Sequence, residues 1–326
     1  MRRWPVLTDL RLRSRLAQVD LEPKIGKVLG PRDYDVMLTG PTRVTKPDGK
    51  PLCVYLPGVL REHTQDETVY GVLHDLRRSL TANRGMASAT SRVKQASSTH
   101  RSDSKPTPSA IIGSMDGSPS MERKYCRLTA WTGRHLPEMA TLNPMLRAVA
   151  SHLAVHVPVR YAAQLVEATR TEPDWVIPGT PFTTVTVNNT WPTGMHTDKG
   201  DLDAGFSTIA VLRRGLYEGG QLMFPEYRVA VDLADGDLIL MDAHEWHANA
   251  EIRCRCVPED PRGRIDLAGK RLFGWCDTSK GGCGAERISV VSYFRTEMTK
   301  CGTAEDEMAR AARTRERRGE VVVGDG

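Results

Sequence analysis

Beyond residue 181 the chain reads as a succession of short β-strands separated by turn residues. This pattern limits the fold more than any other feature. Stretches at 183–190, 207–212, 221–224, 229–233, 237–241 and 288–294 are rich in β-branched or alternating apolar residues. Gly219-Gly220 and Asp235-Gly236 punctuate them as turns. Residues 34–60 add more strand, with Asp48-Gly49 between Val44 and the run Leu52-Cys53-Val54-Tyr55-Leu56, a good hairpin signal. Helices precede the strand-rich half. Val69, Val72, Leu73, Leu76 and Leu80 share one face of a helix predicted over 67–82. Asn143-Pro144 is read as a helix start, with Leu146, Val149, Ala150 and Leu153 on its apolar face. Pro158 breaks that helix, and a second covers 161–168. Strands after helices predict an α+β fold: a β-barrel or sandwich with helices packed on the outside.

Composition supports a packed core: 40% hydrophobic and 26% charged residues are ordinary for a globular chain. No run of about 18 apolar residues predicts a membrane span, and the Arg-rich start lacks the apolar stretch of a secretory signal. The expectation is an intracellular, cytoplasmic protein with no membrane partner. The net charge of +5 permits a polyanionic partner without requiring one. Ser, Thr, Lys and Pro dominate residues 85–120, read as a mobile loop with a short strand at Ile111-Ile112-Gly113. Of the seven Cys, Cys254, Cys256, Cys276 and Cys283 crowd one segment, which in an intracellular protein favours metal binding over disulfides.

The sharpest chemical signal is His196-Thr197-Asp198. Side chains two apart on a strand point the same way, so both can face one ion. The hairpin spanning 231–242 delivers a further strand to His244-Glu245-Trp246-His247. Of its two histidines, His247 is favoured as the third ligand and His244 is given a supporting or packing role. Two His and one carboxylate leave open positions suited to Fe(II) and O2. Arg287 opens the strand 287–295, with Ser289 on the same side. Arg is the best bidentate partner for the far carboxylate of a 2-oxoglutarate cosubstrate.

The motif 196–201, the segment His247-Ala248-Asn249 and the strand Arg-Ile-Ser-Val-Val-Ser-Tyr-Phe-Arg at 287–295 resemble the TET/JBP family of nucleic-acid base dioxygenases. The likeness covers about residues 181–298. It implies a double-stranded β-helix (jelly-roll, cupin-like) core, and a compact member of phage or bacterial type acting in a bacterial or phage-infected cell. It implies Fe(II) at His196, Asp198 and His247, 2-oxoglutarate at Arg287 and Ser289, and O2 as co-reactant. Asp201 matches the position that meets the exocyclic group of the base, and Tyr293 the aromatic that stacks on an extruded base. The implied reaction is oxidation of the 5-methyl group of 5-methylcytosine in DNA to 5-hydroxymethylcytosine. Thymine oxidation to 5-hydroxymethyluracil is the alternative. A protein or small-molecule hydroxylase, or an inactive DNA-binding module, stands further off.

Two features depart from the family pattern. Arg295 stands where TET members usually carry His; it can donate to a pyrimidine or hold a phosphate, but cannot accept a hydrogen bond. Arg287 lies 40 residues beyond His247, a longer gap than the family keeps. The insertion holds the four crowded cysteines, read as a candidate structural zinc site. The expected organisation is a basic N-terminal extension (1–30), one dioxygenase domain (31–300) with the loop at 85–120 and the Cys-containing insertion at 253–285, and a charged tail (301–326). Lys94, Arg101 and Lys105 are expected to grip DNA phosphate. A monomer, functionally coupled to a DNA cytosine methyltransferase, is the expected state.

Overall fold

The computed structural model describes residues 4–79, 109–117, 124–254, 276 and 278–317. Among these residues no helix is long and apolar enough to cross a membrane. The chain divides into two compact units. The first holds Met1–Ala110, Thr186–Lys199 and Thr208–Val291; the second holds Ile111–Val185, Gly200–Ser207 and Ser292–Gly326.

In chain order the strands begin with β1 (Thr8–Arg11), β2 (Val36–Leu38), β3 (Thr42–Thr45), β4 (Pro51–Leu56), β5 (Ser109–Met115), β6 (Arg127–Leu128) and β7 (Thr184–Asn189). They continue with β8 (Ser207–Arg214), β9 (Tyr217–Gly219), β10 (Leu222–Phe224), β11 (Val229–Val231), β12 (Leu238–Met241), β13 (Ala248–Asn249), β14 (Ile252–Cys254) and β15 (Glu286–Tyr293). In the first unit the larger sheet runs β1-β3-β4-β12-β8-β15-β7, the smaller β13-β10-β11-β2, and β14 pairs with β9. This is the two-sheet jelly-roll that the strand pattern and the family resemblance imply. The Asp48-Gly49 turn joins β3 to antiparallel β4, with Gly49 at φ +84°, a conformation that glycine adopts freely.

Strand alternation builds the core of this unit. Val44, Leu52, Tyr55, Val211, Ile239 and Met241 from the larger sheet meet Leu38, Leu222, Phe224, Val229 and Val231 from the smaller. Each such side chain contributes roughly 1.5–3 kcal/mol of burial. The N-terminal residues join this unit. β1 pairs in parallel with β3, and Leu21 and Leu29 pack on Met195, Met223, Ala230, Ala248 and Ala250. Leu10 and Leu12, spaced between the arginines, are half-buried against the core of this unit. Helix α1 (Glu67–Asp75) starts at Asp66, whose carboxylate accepts from Thr68 N at 2.8 Å. It continues as one 3-10 turn, Leu76–Arg78.

The second unit carries the longer helices α2 (Leu136–His156), α3 (Pro158–Arg170) and α4 (Ala304–Glu316). Here β5 pairs with β6, Ser114 opposite Leu128. α2 begins well before the predicted start and carries Pro144 in its interior. Met139 and Leu142 extend the buried face upstream of the proline, and Pro137 supplies the pre-set first turn. Burying that face outweighs the cost of about 3 kcal/mol of an interior proline. α4 lies in the segment read as a charged tail. Thr303 and Asp306 form a capping box, and the buried Glu307 carboxylate accepts from Cys126 N at 2.8 Å and Gly302 N at 3.0 Å. Cys126 and Cys301 are joined as a disulfide beside that contact. Of the loop expected at 85–120, residues 109–115 form β5; residues 85–108 and 118–120, with Lys94, Arg101 and Lys105, lie outside the described residues.

One buried carboxylate fixes the turn that feeds β12. Asp237 accepts from Tyr55 Oη at 2.7 Å, Gly58 N at 2.7 Å and Ala234 N at 2.8 Å. Asp237→Ala strands a buried hydroxyl and two backbone amides, and is expected to lower stability by at least ~2 kcal/mol in equilibrium urea unfolding. A loss below half of that would show that water replaces the carboxylate.

Candidate functional site

β12 ends at Met241, and the following turn returns the chain to His247. His247 and His196 form an isolated antiparallel bridge with both backbone hydrogen bonds at 3.0 Å. Two residues along, Asp198 N donates to Ala243 O at 2.9 Å. Three side chains converge there. Asp198 Oδ1 lies 3.3 Å from His196 Nε2, and Asp198 Oδ2 lies 3.7 Å from His247 Nε2. One ligand atom from each residue falls within 4.8 Å of the others.

Each imidazole is held in the tautomer a metal ligand needs. His196 Nδ1 sits 2.8 Å from Gly194 O, and His247 Nδ1 sits 2.9 Å from Glu245 O. Both Nδ1–H groups donate to carbonyls two residues back, which leaves the Nε2 lone pairs facing Asp198. Burial, with His196 beside it, lowers the His247 pKa to about 4, so the ring is neutral at physiological pH. His244 stays outside this group, with Nδ1 3.3 Å from Asp242 Oδ1. The turn itself is braced by buried Lys46, which donates to Asp242 at 3.0 Å and Glu245 at 2.6 Å. Burial opposes the Lys46 charge, but bonds to Glu245 and Asp242 hold its pKa above the usual value. Sequence reasoning missed Lys46, because its two partners lie nearly 200 positions away.

β15 presents two neighbouring charges to opposite faces, as strand alternation requires. Glu286 is fully satisfied: it accepts from Tyr70 Oη at 2.7 Å and lies 2.8 Å from His74 Nδ1, with Asn189 Nδ2 as a further donor. Arg287 is 3% exposed and, among the described residues, has no carboxylate partner. Burial depresses its pKa, while Tyr217 and Asp232 work in the other direction. The neighbouring Tyr217 hydroxyl is buried and, among the described residues, has no hydrogen-bond partner. Its pKa is raised by burial and pulled back by Arg287 and Arg213. A buried cation and a buried hydroxyl left open together fit the far carboxylate of a dicarboxylic acid, because both penalties vanish when it binds. Gly220 makes room: a Cβ there would lie 3.1 Å from Arg287 Cδ. Thr190, at φ 48°, holds the Arg287 backbone, donating to its carbonyl at 2.6 Å and accepting from its amide at 3.1 Å. A β-branched residue in this conformation is strained, and such strain gathers at functional sites. Ser289 follows on the same face of β15, buried at 6% exposure.

The second unit holds the residues matched to base recognition. Asp201 is 8% exposed and accepts from Ser207 Oγ at 2.7 Å. Its backbone bridges Arg295 in antiparallel fashion, and Tyr293 is 9% exposed on the same segment as Arg295. Arg295 Nε is ion-paired with Asp116, a buried residue the sequence reading did not single out. Burial opposes the Arg295 charge, yet the Asp116 bond keeps its pKa above the usual value. In the first unit, the structure also brings together Cys254, Cys276 and Cys283. Cys256 lies outside the described residues.

A jelly-roll with a two-histidine, one-carboxylate face and a buried arginine beside it defines a 2-oxoglutarate- and Fe(II)-dependent oxygenase, which takes O2 as its third reactant. Comparison with known sequences makes the assignment narrower. The family model Tet_JBP, described as the oxygenase domain of the 2OGFeDO superfamily, matches residues 110–296, and the chain belongs to that family. A thymine dioxygenase JBP1 of Leishmania braziliensis is 35% identical over 153 residues, 47% of this chain and 18% of that protein. Thymine dioxygenase JBP1-A of Trypanosoma cruzi is 29% identical over 209 residues, 64% of this chain and 22% of that protein. The chain therefore spans about a fifth of the length of these curated relatives. Among solved structures, NgTET1 in complex with 5mC DNA shares the fold, with a TM-score of 0.52 and 14% identity over 85% of this chain and 86% of that one.

The carbonyl that orients His196 belongs to Gly194, which lies against the backbone of Gly26. A Cβ on residue 194 would fall 2.5 Å from Gly26 O. Gly194→Ala must displace one backbone or the other. It is expected to weaken Fe(II) binding about 10- to 100-fold in anaerobic calorimetry, with the circular dichroism spectrum retained. Unchanged affinity would mean that this carbonyl does not set the imidazole.

Proposed function

We propose that the chain oxidises the 5-methyl group of 5-methylcytosine in DNA, giving 5-hydroxymethylcytosine. One observation carries the choice of base: the position matched to the exocyclic group of the base holds Asp201, a buried carboxylate that accepts from Ser207 Oγ. Such a carboxylate attracts the N4 amine of cytosine and repels O4 of thymine. Thymine oxidation is the second reading, favoured by the curated relatives, which are thymine dioxygenases.

In this reading His196, Asp198 and His247 hold the iron. Arg287 pairs with the far carboxylate of 2-oxoglutarate, Tyr217 donates a second bond to it, and Ser289 lines the same face. Bound Fe(II) with 2-oxoglutarate and O2 supplies the oxidant: the methyl carbon gains one oxygen atom, and 2-oxoglutarate leaves as succinate and CO2. The side chains act by placement. A base reached in duplex DNA must be extruded, and Tyr293 offers an aromatic face for stacking. Asp116 fixes Arg295, whose remaining N–H groups point to a donor role toward the pyrimidine or a phosphate. The net charge of +5 is compatible with a polyanionic substrate. A monomer acting after a cytosine methyltransferase completes the proposal.

The test is nucleoside mass spectrometry of duplex DNA containing both 5-methylcytosine and thymine, after incubation with the protein, Fe(II), 2-oxoglutarate and ascorbate. The expected product is 5-hydroxymethylcytosine, absent with Asp198→Ala. Gain of 5-hydroxymethyluracil in its place would move the assignment to thymine; succinate without any change of base would remove DNA as the substrate. Asp201→Asn is expected to lower the rate on 5-methylcytosine about tenfold or more, because one carboxylate–amine contact discriminates by about 1–3 kcal/mol. For the cosubstrate, Tyr217→Phe is expected to weaken 2-oxoglutarate binding about tenfold, the worth of one hydrogen bond to a charged group. Arg287→Leu should abolish binding in the same titration. If Tyr217→Phe binds as tightly as the parent, the hydroxyl plays no part in holding the cosubstrate.

A further inference from the structure

Three cysteines gather in the first unit at a place the oxygenase chemistry does not use. Cys254 is the last residue of β14. Cys276 and Cys283 close a short loop around the 3-10 turn Thr278–Lys280. Cys276 N donates to Ala285 O at 3.0 Å, and Gly284 N donates to Cys276 O at 2.9 Å. Gly281 and Gly284, at φ +77° and +71°, allow the chain to turn back so tightly. The loop aims both thiols at Cys254, whose sulfur lies 3.4 Å from Cys276 Sγ and 3.0 Å from Cys283 Sγ. All three sulfurs fall within 4.8 Å of one another.

This arrangement suits neither of the bland alternatives. A disulfide needs two sulfurs at about 2.0 Å, and all three cysteines are free thiols. Three unconnected thiols gain little from converging, since the S–H group is a weak donor and acceptor. Three thiolates would repel one another unless a cation lay between them. Zn–S bonds of about 2.3 Å in a tetrahedron place sulfurs roughly 3.8 Å apart, so the thiols at 3.4 and 3.0 Å need only a small outward shift to take an ion between them. The backbone also prepares a thiolate: Cys283 N donates to Cys276 Sγ at 3.4 Å. A small apolar cluster of Tyr217, Ile252 and Ala285 packs against Cys254 and Cys276 and backs the site.

We propose that Cys254, Cys276 and Cys283 bind a structural zinc ion separate from the iron centre. Thiolates are soft ligands and select Zn(II), whereas the imidazole and carboxylate set suits Fe(II). Binding replaces three S–H protons with three Zn–S bonds, so three protons leave and no electron is transferred. A structural site of this kind takes four ligands, and these cysteines supply three of them. The ion ties the end of β14 to the residues just ahead of β15, whose second residue is Arg287. It therefore pins both ends of the long insertion, whatever lies in between.

The experiment measures metal in the reduced full-length protein by mass spectrometry, after a ferrous chelator has removed iron. About one zinc per chain is expected, both in the parent and in Asp198→Ala. The Cys276→Ser/Cys283→Ser double variant is expected to lose it. Cobalt added to the zinc-stripped parent should give the visible bands of a tetrahedral thiolate site, a readout that does not depend on any variant folding. Failure of the stripped, reduced parent to take up either zinc or cobalt would overturn the proposal. So would full zinc retention by the double variant, or peptide mapping that finds two of these cysteines joined to each other in the native protein.

Discussion

The site hangs on one cross-strand pair. His196 and His247 exchange both backbone hydrogen bonds, and each ring then turns to bond a carbonyl two residues behind it. The ladder fixes the separation of the two backbones, and the carbonyls fix the rings. Asp198 needs only the period of a strand to join them. Little freedom remains for an ion to remove on binding, so most of its binding energy is free to become affinity. The buried Lys46 network supports the same pair from behind, by holding the turn that carries His247.

β15 shows how one strand can serve stability and function on alternate residues. Glu286 faces Tyr70, His74 and Asn189 and is fully bonded. Arg287 faces the other way, buried and open, beside an open Tyr217 hydroxyl. An unpaired buried charge destabilises a fold by several kcal/mol. The surrounding jelly-roll bears the penalty, and in the proposed reading a cosubstrate carboxylate would relieve it. The strained Thr190 belongs to the same account, since it clamps the Arg287 backbone in place.

The parts of the site legible in the sequence are those built from local periodicity. His196 and Asp198 sit two apart on extended chain, and the Asp235-Gly236 turn announces the strand that leads to His247. Arg287 and Ser289 repeat the same period. Choosing His247 over His244 depended on register, and the antiparallel bridge sets that register. Lys46, Tyr217 and Asp116 were not legible. What sets each apart lies far along the chain: Asp242 and Glu245 for Lys46, Arg295 for Asp116 and Arg287 for Tyr217. Helix α2 misled for a related reason. Asn143-Pro144 is a sound local start signal, but the buried face of Met139 and Leu142 overrules it. The N-terminal residues were read by their charge, while their pairing with β3 and packing on Met195 depend on residues still to come.

The close approach of Gly26 to Gly194 has a consequence for the order of events during synthesis. Gly26 N donates to Met195 O, Met195 N donates to Lys27 O, and Leu29 N donates to Asn249 O. Residues 26–29 thus wait for partners made up to about two hundred positions later. The two histidines acquire their final backbone setting only when these distant segments meet. A growing chain on the ribosome is therefore blind to iron until residue 250 has emerged. Such high contact order makes the step slow.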